Sequence, residues 1–209
     1  MSGRANDSQL VERFREQAEQ LPDWLRSHVQ RVVVEGRRLA HRYALAEDEL
    51  NLERVEAACW GHDLYRAHEP AQLLALAEEL RLPISSVERT APILLHGPIA
   101  AARAERDWGV NDEAVLEAIR WHTTARPGMS AVATTVFLAD KIEPGKVAAD
   151  PGLAPIRALA DHNPEAALLA FLERRLQEQI AVGQVIDPIS LETRNTLLST
   201  LHVDRPSDA

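Results

Sequence analysis

An all-α fold is predicted by three observations: Ala, Leu, Glu and Arg dominate the composition, aromatic residues make up only 4%, and apolar residues recur at helical spacing. Unbranched side chains lose little rotamer freedom in a helix, so this mixture favours helices over sheets. With 209 residues, 45% hydrophobic and 26% charged, the chain is long enough for one well-packed core and has ordinary globular composition.

The elements follow in order. Residues 1–8 (MSGRANDS) are small and polar and are expected to be frayed, before a first amphipathic helix over SQLVERFREQAEQL. Pro22 breaks the chain, and Asp23 is expected to cap a second helix running to about Tyr43, with Trp24, His28, Val32, Leu39 and Tyr43 on its apolar side. ALAEDEL reads as a connection. LERVEAACWGHDLY resumes helical periodicity through Leu52, Val55, Ala58 and Cys59 toward His62 and Asp63. PAQLLALAEELRL is a helix with Pro70 in its first turn that stops before Pro83. Pro92 and Pro98 interrupt the next stretch, predicting two short helices that meet at a bend around His96 and Gly97. Asp112 caps EAVLEAIRWH, whose Val115, Ile119 and His122 share a face, and Ser130 caps AVATTVFLADKIE, where Val132, Val136 and Asp140 stack. PGKVAADPGLAP reads as a link to two last helices, PEAALLAFLERRLQEQIAVG, stopped by Gly183, and SLETRNTLLSTLH; the tail VDRPSDA is expected to be loose.

A formal net charge of -9 disfavours sequence-independent binding to nucleic acid, so an anionic ligand requires a local concentration of cations. The only two lysines, Lys141 and Lys146, stand close together. A single cysteine, Cys59, excludes an intramolecular disulfide, and neither a signal-like start nor an apolar run of the roughly 20 residues needed to span a bilayer is apparent. A cytoplasmic protein without a membrane partner is the expectation.

Four histidines and two aspartates share one property: His28, His62, Asp63, His96, His122 and Asp140 each lie on or beside an apolar helix face. Taken singly, an inward histidine is more often hydrogen-bonded core. A buried carboxylate, however, persists only by pairing, hydrogen bonding or coordinating a metal, and nearby sequence offers Asp63 and Asp140 no obvious cationic partner. Imidazole and carboxylate donors around a divalent cation satisfy all six together. His62 and Asp63, adjacent at a helix terminus, are placed to address two metals or to bridge them. His41, His68, His162 and His202 fall on polar faces or in loops and are expected to be solvated, with His68 a weaker candidate for supporting the site.

The ordered set His28, His62 and Asp63, His96, His122 and Asp140 resembles the HD-domain metal-dependent phosphohydrolases. HGPIAA, AIRWHTT and FLADKIEPGK look like the YqeK-type branch, the symmetrical diadenosine tetraphosphatases. The resemblance extends over roughly residues 23–200. It implies a helical HD domain over 21–150, after an N-terminal segment over 1–20 that is helical or partly disordered and before C-terminal helices packed on it over 151–205. It also implies two divalent or trivalent ions held by those six residues, with iron first and manganese or another transition metal next. The implied reaction splits diadenosine tetraphosphate into two ADP through a metal-activated water, with His62 and Asp63 catalytic. Alternatives are an HD phosphohydrolase acting on another nucleotide, or a non-catalytic helical nucleotide-binding or regulatory protein.

Phosphate clamping then falls to cations near the ligands: Arg66 and Lys146 first, with Lys141, Arg126 and Arg120 behind them, and Thr123 and Thr124 as hydrogen-bonding candidates. Trp60 and Trp121 could stack on a base, although core packing is the commoner use of a tryptophan beside an inward residue. Two departures from the family pattern are Arg66, where lysine is common, and Ala125, where glycine is common. The apolar C-terminal helices raise a homodimer as a further expectation.

Overall fold

The computed structural model describes residues 2–44 and 52–203. Residue 1, residues 45–51 and residues 204–209, and with them most of the expected connection and tail, lie outside the described residues. The chain runs through α1 (Ser2–Ala18), α2 (Asp23–Ala44), α3 (Leu52–Gly61), α4 (Pro70–Glu79), α5 (Ser86–Thr90), α6 (His96–Trp108), α7 (Glu113–Trp121) and α8 (Ala131–Ile142). It continues through α9 (Pro144–Ala149), α10 (Ala154–Ala160), α11 (Pro164–Ala181) and α12 (Pro188–Val203), with short 3₁₀ turns at Pro92–Leu95 and Pro151–Leu153. The fold is all-α, and no strand occurs among the described residues. No described helix is long and apolar enough to cross a membrane.

The centre is α3, which packs against α1, α2, α7 and α8. Val55 and every residue from Ala57 to Gly61 are buried, as befits a helix surrounded by others. Phe14, Leu25, Val32, Ile119, Val136 and Phe137 close around it in the main core, while Leu73, Ala77, Leu95 and Ile99 form a smaller cluster under α4 and α6.

Two glycines set the helix approaches that bring the ligand-type residues together. A Cβ on Gly36 would lie 2.6 Å from Cys59 Sγ, so the glycine lets α2 close on α3. A Cβ on Gly97 would lie 2.8 Å from the Ile119 carbonyl oxygen and 3.1 Å from His122 Cε1, so only glycine lets the start of α6 meet the end of α7.

Asp112 accepts from the Ala114 and Val115 amides and Ser130 from the Ala133 amide, capping α7 and α8 as their sequences predict. Gly183 has a φ of 67° just after α11, the left-handed stop expected there. The C-terminal region is fastened by buried Glu35, which receives Arg157 from α10 at 2.8 Å and Arg38 at 2.8 Å. On α11, Ala167, Leu168 and Leu172 join the main core, and the Phe171 ring packs edge-on against Phe137 at 5.6 Å.

Several expectations need correction. Residues 2–8 belong to α1 instead of a frayed end. Asp23 lies inside the first turn of α2 with its carboxylate on Arg26 at 2.5 Å, and the Pro22 carbonyl accepts from the Leu25 and Arg26 amides. Trp24 is 61% exposed, because the buried stripe runs through Leu25, His28, Val29, Val32 and Val33. Pro98 does not break α6: it sits in the first turn, where its missing N–H would have had no helical partner. The stretch read as a link folds into α9, a 3₁₀ turn and the start of α10, each with proline in its first turn, so the prolines there begin helices instead of ending them.

Candidate metal centre

The six inward residues come from five places in the fold and meet in one buried cluster. His28 projects from α2, His62 and Asp63 follow α3, His96 opens α6, His122 follows α7, and Asp140 lies on α8. All are buried, His28 being the most open at 9% exposure.

Local backbone sets the ring orientations. His62 Nδ1 lies 2.7 Å from the Cys59 carbonyl and His122 Nδ1 lies 2.7 Å from the Ile119 carbonyl, each acceptor three residues earlier. His96 Nδ1 makes the same contact with the Ile93 carbonyl. A carbonyl oxygen only accepts, so each Nδ1 carries the proton and donates, leaving Nε2 to face the cluster. His28 places Nδ1 3.3 Å from Glu143 Oε1 and Nε2 3.0 Å from Asp140 Oδ1.

Asp63 stands between two groups of these nitrogens. Its Oδ1 lies 3.0 Å from His96 Nε2 and 3.3 Å from His122 Nε2, while Oδ2 lies 3.5 Å from His62 Nε2 and 3.6 Å from His28 Nε2. One carboxylate therefore addresses both groups of nitrogens. His62 Nε2 and Asp63 Oδ1 are fully enclosed, and neither has a hydrogen bond of acceptable geometry. Three overlapping sets, His28 with His62 and Asp63, His62 with His122 and Asp140, and Asp63 with His96 and His122, each bring ligand atoms within 4.8 Å of one another. Buried polar atoms without partners are costly, and nitrogen and oxygen donors converging in this way fit transition-metal cations.

The electrostatics agree with that fit. Burial opposes charge on Asp63, yet the positive charge favoured on neighbouring His62 outweighs it and holds the carboxyl well below the usual range. Burial also opposes charge on Asp140, and Lys141 and Lys146 hold it well below that range. Burial pushes the His122 imidazole down to about 3, so it is neutral near pH 7, the form that donates a lone pair. At His62 burial lowers the pKa, but Asp63 and Asp140 outweigh it and raise it.

Two residues outside the expected set, Glu143 and Arg31, complete the surroundings. Glu143, almost fully buried, accepts from His28 and takes Arg31 Nε at 2.7 Å; burial opposes its charge, and the Arg31 hydrogen bond outweighs that, leaving its pKa lowered. It also accepts from the Gly145 amide, and so caps α9. Its position one turn beyond Asp140 on an inward face is the signal in the sequence that could have found it.

Beside the cluster opens a cavity of about 460 Å³, whose lining includes Arg66, Thr123, Lys141, Lys146, Phe171 and Arg175. Lys141 Nζ lies 2.5 Å from Asp140 Oδ2, Lys146 Nζ lies 2.7 Å from Asp140 Oδ1, and Arg66 Nε lies 3.6 Å from Asp63 Oδ2, so, contrary to the expectation from sequence, both aspartates have cationic partners close by in the chain. Thr123 Oγ1 is 3.0 Å from His122 Nε2. Arg126, expected among the substrate contacts, is instead held by Glu117 and the Pro127 carbonyl and is absent from this lining. Trp60 belongs to the core, and Trp121 does not line the cavity. His68 stacks on Tyr65 at 5.1 Å.

Comparison with known proteins gives a consistent picture. The family model described as HD domain matches residues 25–145. A protein of Bacillus subtilis (strain 168) named bis(5'-nucleosyl)-tetraphosphatase, symmetrical, is 30% identical over 70% of this chain and 77% of its own. One of the same name from Staphylococcus aureus is 34% identical over 68% of this chain and 69% of its own. A solved structure from Clostridium acetobutylicum, described as a predicted HD superfamily hydrolase involved in NAD metabolism, superposes with a TM-score of 0.82 at 26% identity, covering 90% of this chain and 97% of that one.

Proposed function

Since the chain belongs to the HD domain family, we propose that it is a metal-dependent hydrolase that splits diadenosine tetraphosphate symmetrically into two ADP. The observation that carries this reading is the convergence of four Nε2 atoms on the two oxygens of Asp63 and on Asp140, beside a cavity walled by Arg66, Lys141 and Lys146. The names of the relatives supply the substrate class.

His28, His62, Asp63, His96, His122 and Asp140 would hold two ions, and their donor set suits iron, manganese or another transition metal. Ions bound there would supply a nucleophile at neutral pH by lowering the pKa of water, and would offset phosphoryl charge. The chain does the rest. The Nδ1–H donors of His62, His96 and His122 keep the rings from rotating, which preserves the geometry of the site. Asp63 orients the attacking water by accepting a hydrogen bond from its O–H. Lys141, Lys146 and Arg66 neutralise the chain of phosphates, and Thr123 hydrogen-bonds a phosphoryl oxygen at the mouth of the site. Water adds to one central phosphorus as the central P–O–P bond breaks, and the group expelled is ADP, whose terminal phosphate oxygen carries the charge readily, so no strong general acid is required.

A second reading, hydrolysis of a different nucleotide, is favoured by the description of the Clostridium acetobutylicum protein as a hydrolase involved in NAD metabolism. Chromatography of the products from diadenosine tetraphosphate separates the two readings: equal yields of ADP support the symmetrical reaction, and AMP with ATP, or no turnover, contradicts it.

A further inference from the structure

The cavity at the metal centre continues past the cluster. A narrower cleft, lined in part by Leu94, Thr123, Thr124, Phe171, Arg175 and Leu176, shares Leu94, Thr123, Phe171 and Arg175 with it. The two therefore form one groove that runs from the lysines across α11. Its inner wall carries five cations, Arg66, Lys141, Lys146, Arg174 and Arg175, against the carboxylates of Asp150 and Glu178 and is net positive, whereas its outer end combines the side chains of Leu94, Phe171 and Leu176 with the polar groups of Thr124, Gln179 and Ser190 and the carboxylate of Asp187. Charge followed by an apolar surface with polar edges matches phosphate followed by a nucleoside.

The two arginines at the junction differ. Arg174 is pinned by Asp150 at 2.5 Å and Glu178 at 2.8 Å. Arg175 is held loosely, 3.5 Å from Glu178 and 3.4 Å from Gln184 Oε1, with 48% of its side chain exposed. Arg175 is thus free to turn onto an anion at little cost, and a guanidinium suits a phosphate.

We propose that this groove seats the outer half of a dinucleotide, a nucleoside diphosphate moiety, with Arg175 on its phosphate and Phe171 and Leu94 against its base. The proposal rests on the hydrolase reading above and adds to it the residue that distinguishes a dinucleotide from a mononucleotide. Arg175 belongs neither to the ligand set nor to the cations near those ligands in sequence.

The test is calorimetric binding of a methylene-bridged, uncleavable diadenosine tetraphosphate and of ADP to wild type, Arg175→Ala and Arg175→Lys. Arg175→Ala is expected to weaken dinucleotide binding roughly tenfold or more, the loss typical of a charged hydrogen bond, while the tighter ADP bound per chain, the one against the lysines, keeps its affinity and Arg175→Lys recovers part of the loss. Equal losses for both ligands, no loss for the dinucleotide, or a wild type that binds the dinucleotide no better than ADP would overturn the proposal. Should the wild type yield AMP and ATP while Arg175→Ala still loses only the dinucleotide, the symmetrical reaction fails and the outer site stands.

Discussion

His96 Nε2 and His122 Nε2 face one another at 2.8 Å, although both rings already donate from Nδ1 to backbone carbonyls. Two neutral lone pairs do not attract each other. Their approach makes sense where a cation lies among them, and Asp63 Oδ1 stands against both. His122→Ala is therefore expected to keep its helical circular dichroism, lose at least one ion per chain by elemental analysis, and lose turnover by two orders of magnitude or more. Full metal content in that variant would remove His122 from the centre.

Gly97→Ala tests the packing that makes the pair. The added methyl meets the Ile119 carbonyl at 2.8 Å, and backbone cannot yield as a side-chain tip can. Thermal unfolding should show a loss of about 1–3 kcal/mol, the usual cost of overpacking, accompanied by reduced metal content.

Glu143→Gln keeps the shape of the side chain but removes the charge that orients His28 and receives Arg31. Chelator competition should report metal affinity lower by roughly 10- to 100-fold, the range for a group that positions a ligand. Unchanged affinity would leave Glu143 with only its capping role on α9.

The metal-free protein should lose stability on acidification in a way that depends on His122. Its folded pKa, about 3, lies below the ordinary 6.5, so between those values the unfolded chain takes a proton that the folded chain does not. That contribution is complete above about pH 6.5 and declines as pH falls toward 3. The low pKa values of Asp63 and Asp140 act in the same direction below about 3.8, while the raised pKa of His62 acts oppositely, its contribution fading as pH rises. Denaturant titrations of His122→Asn in chelator should therefore show a flatter slope between about pH 4 and 6.5 than wild type.

The gathering of His28, His62, Asp63, His96, His122 and Asp140 is legible in the sequence because each ends or punctuates an apolar helical stripe, and periodicity records burial. What periodicity cannot record is which carbonyl an imidazole meets or how near two helices come. The i−3 acceptors and the close approach at Gly97 therefore emerge only in three dimensions. Proline misleads at Pro98 and along 144–155 because its effect depends on position within a helix. Trp24 misleads because its spacing from His28 fits a helical face, whereas the buried stripe is centred on Leu25 and Val29. Glu143 escapes notice because charge near a helix end ordinarily signals solvent. Arg174 and Arg175 lie far in sequence from every ligand, and only the packing of α11 on α8 carries them to the cavity.

The central claim is that this buried cluster holds two ions. Inductively coupled plasma mass spectrometry on purified protein, with the six residues replaced one at a time, tests it most directly. Two transition-metal atoms per wild-type chain, falling in each variant, is the predicted result. A wild type that takes up one atom or none after incubation with iron or manganese would contradict it.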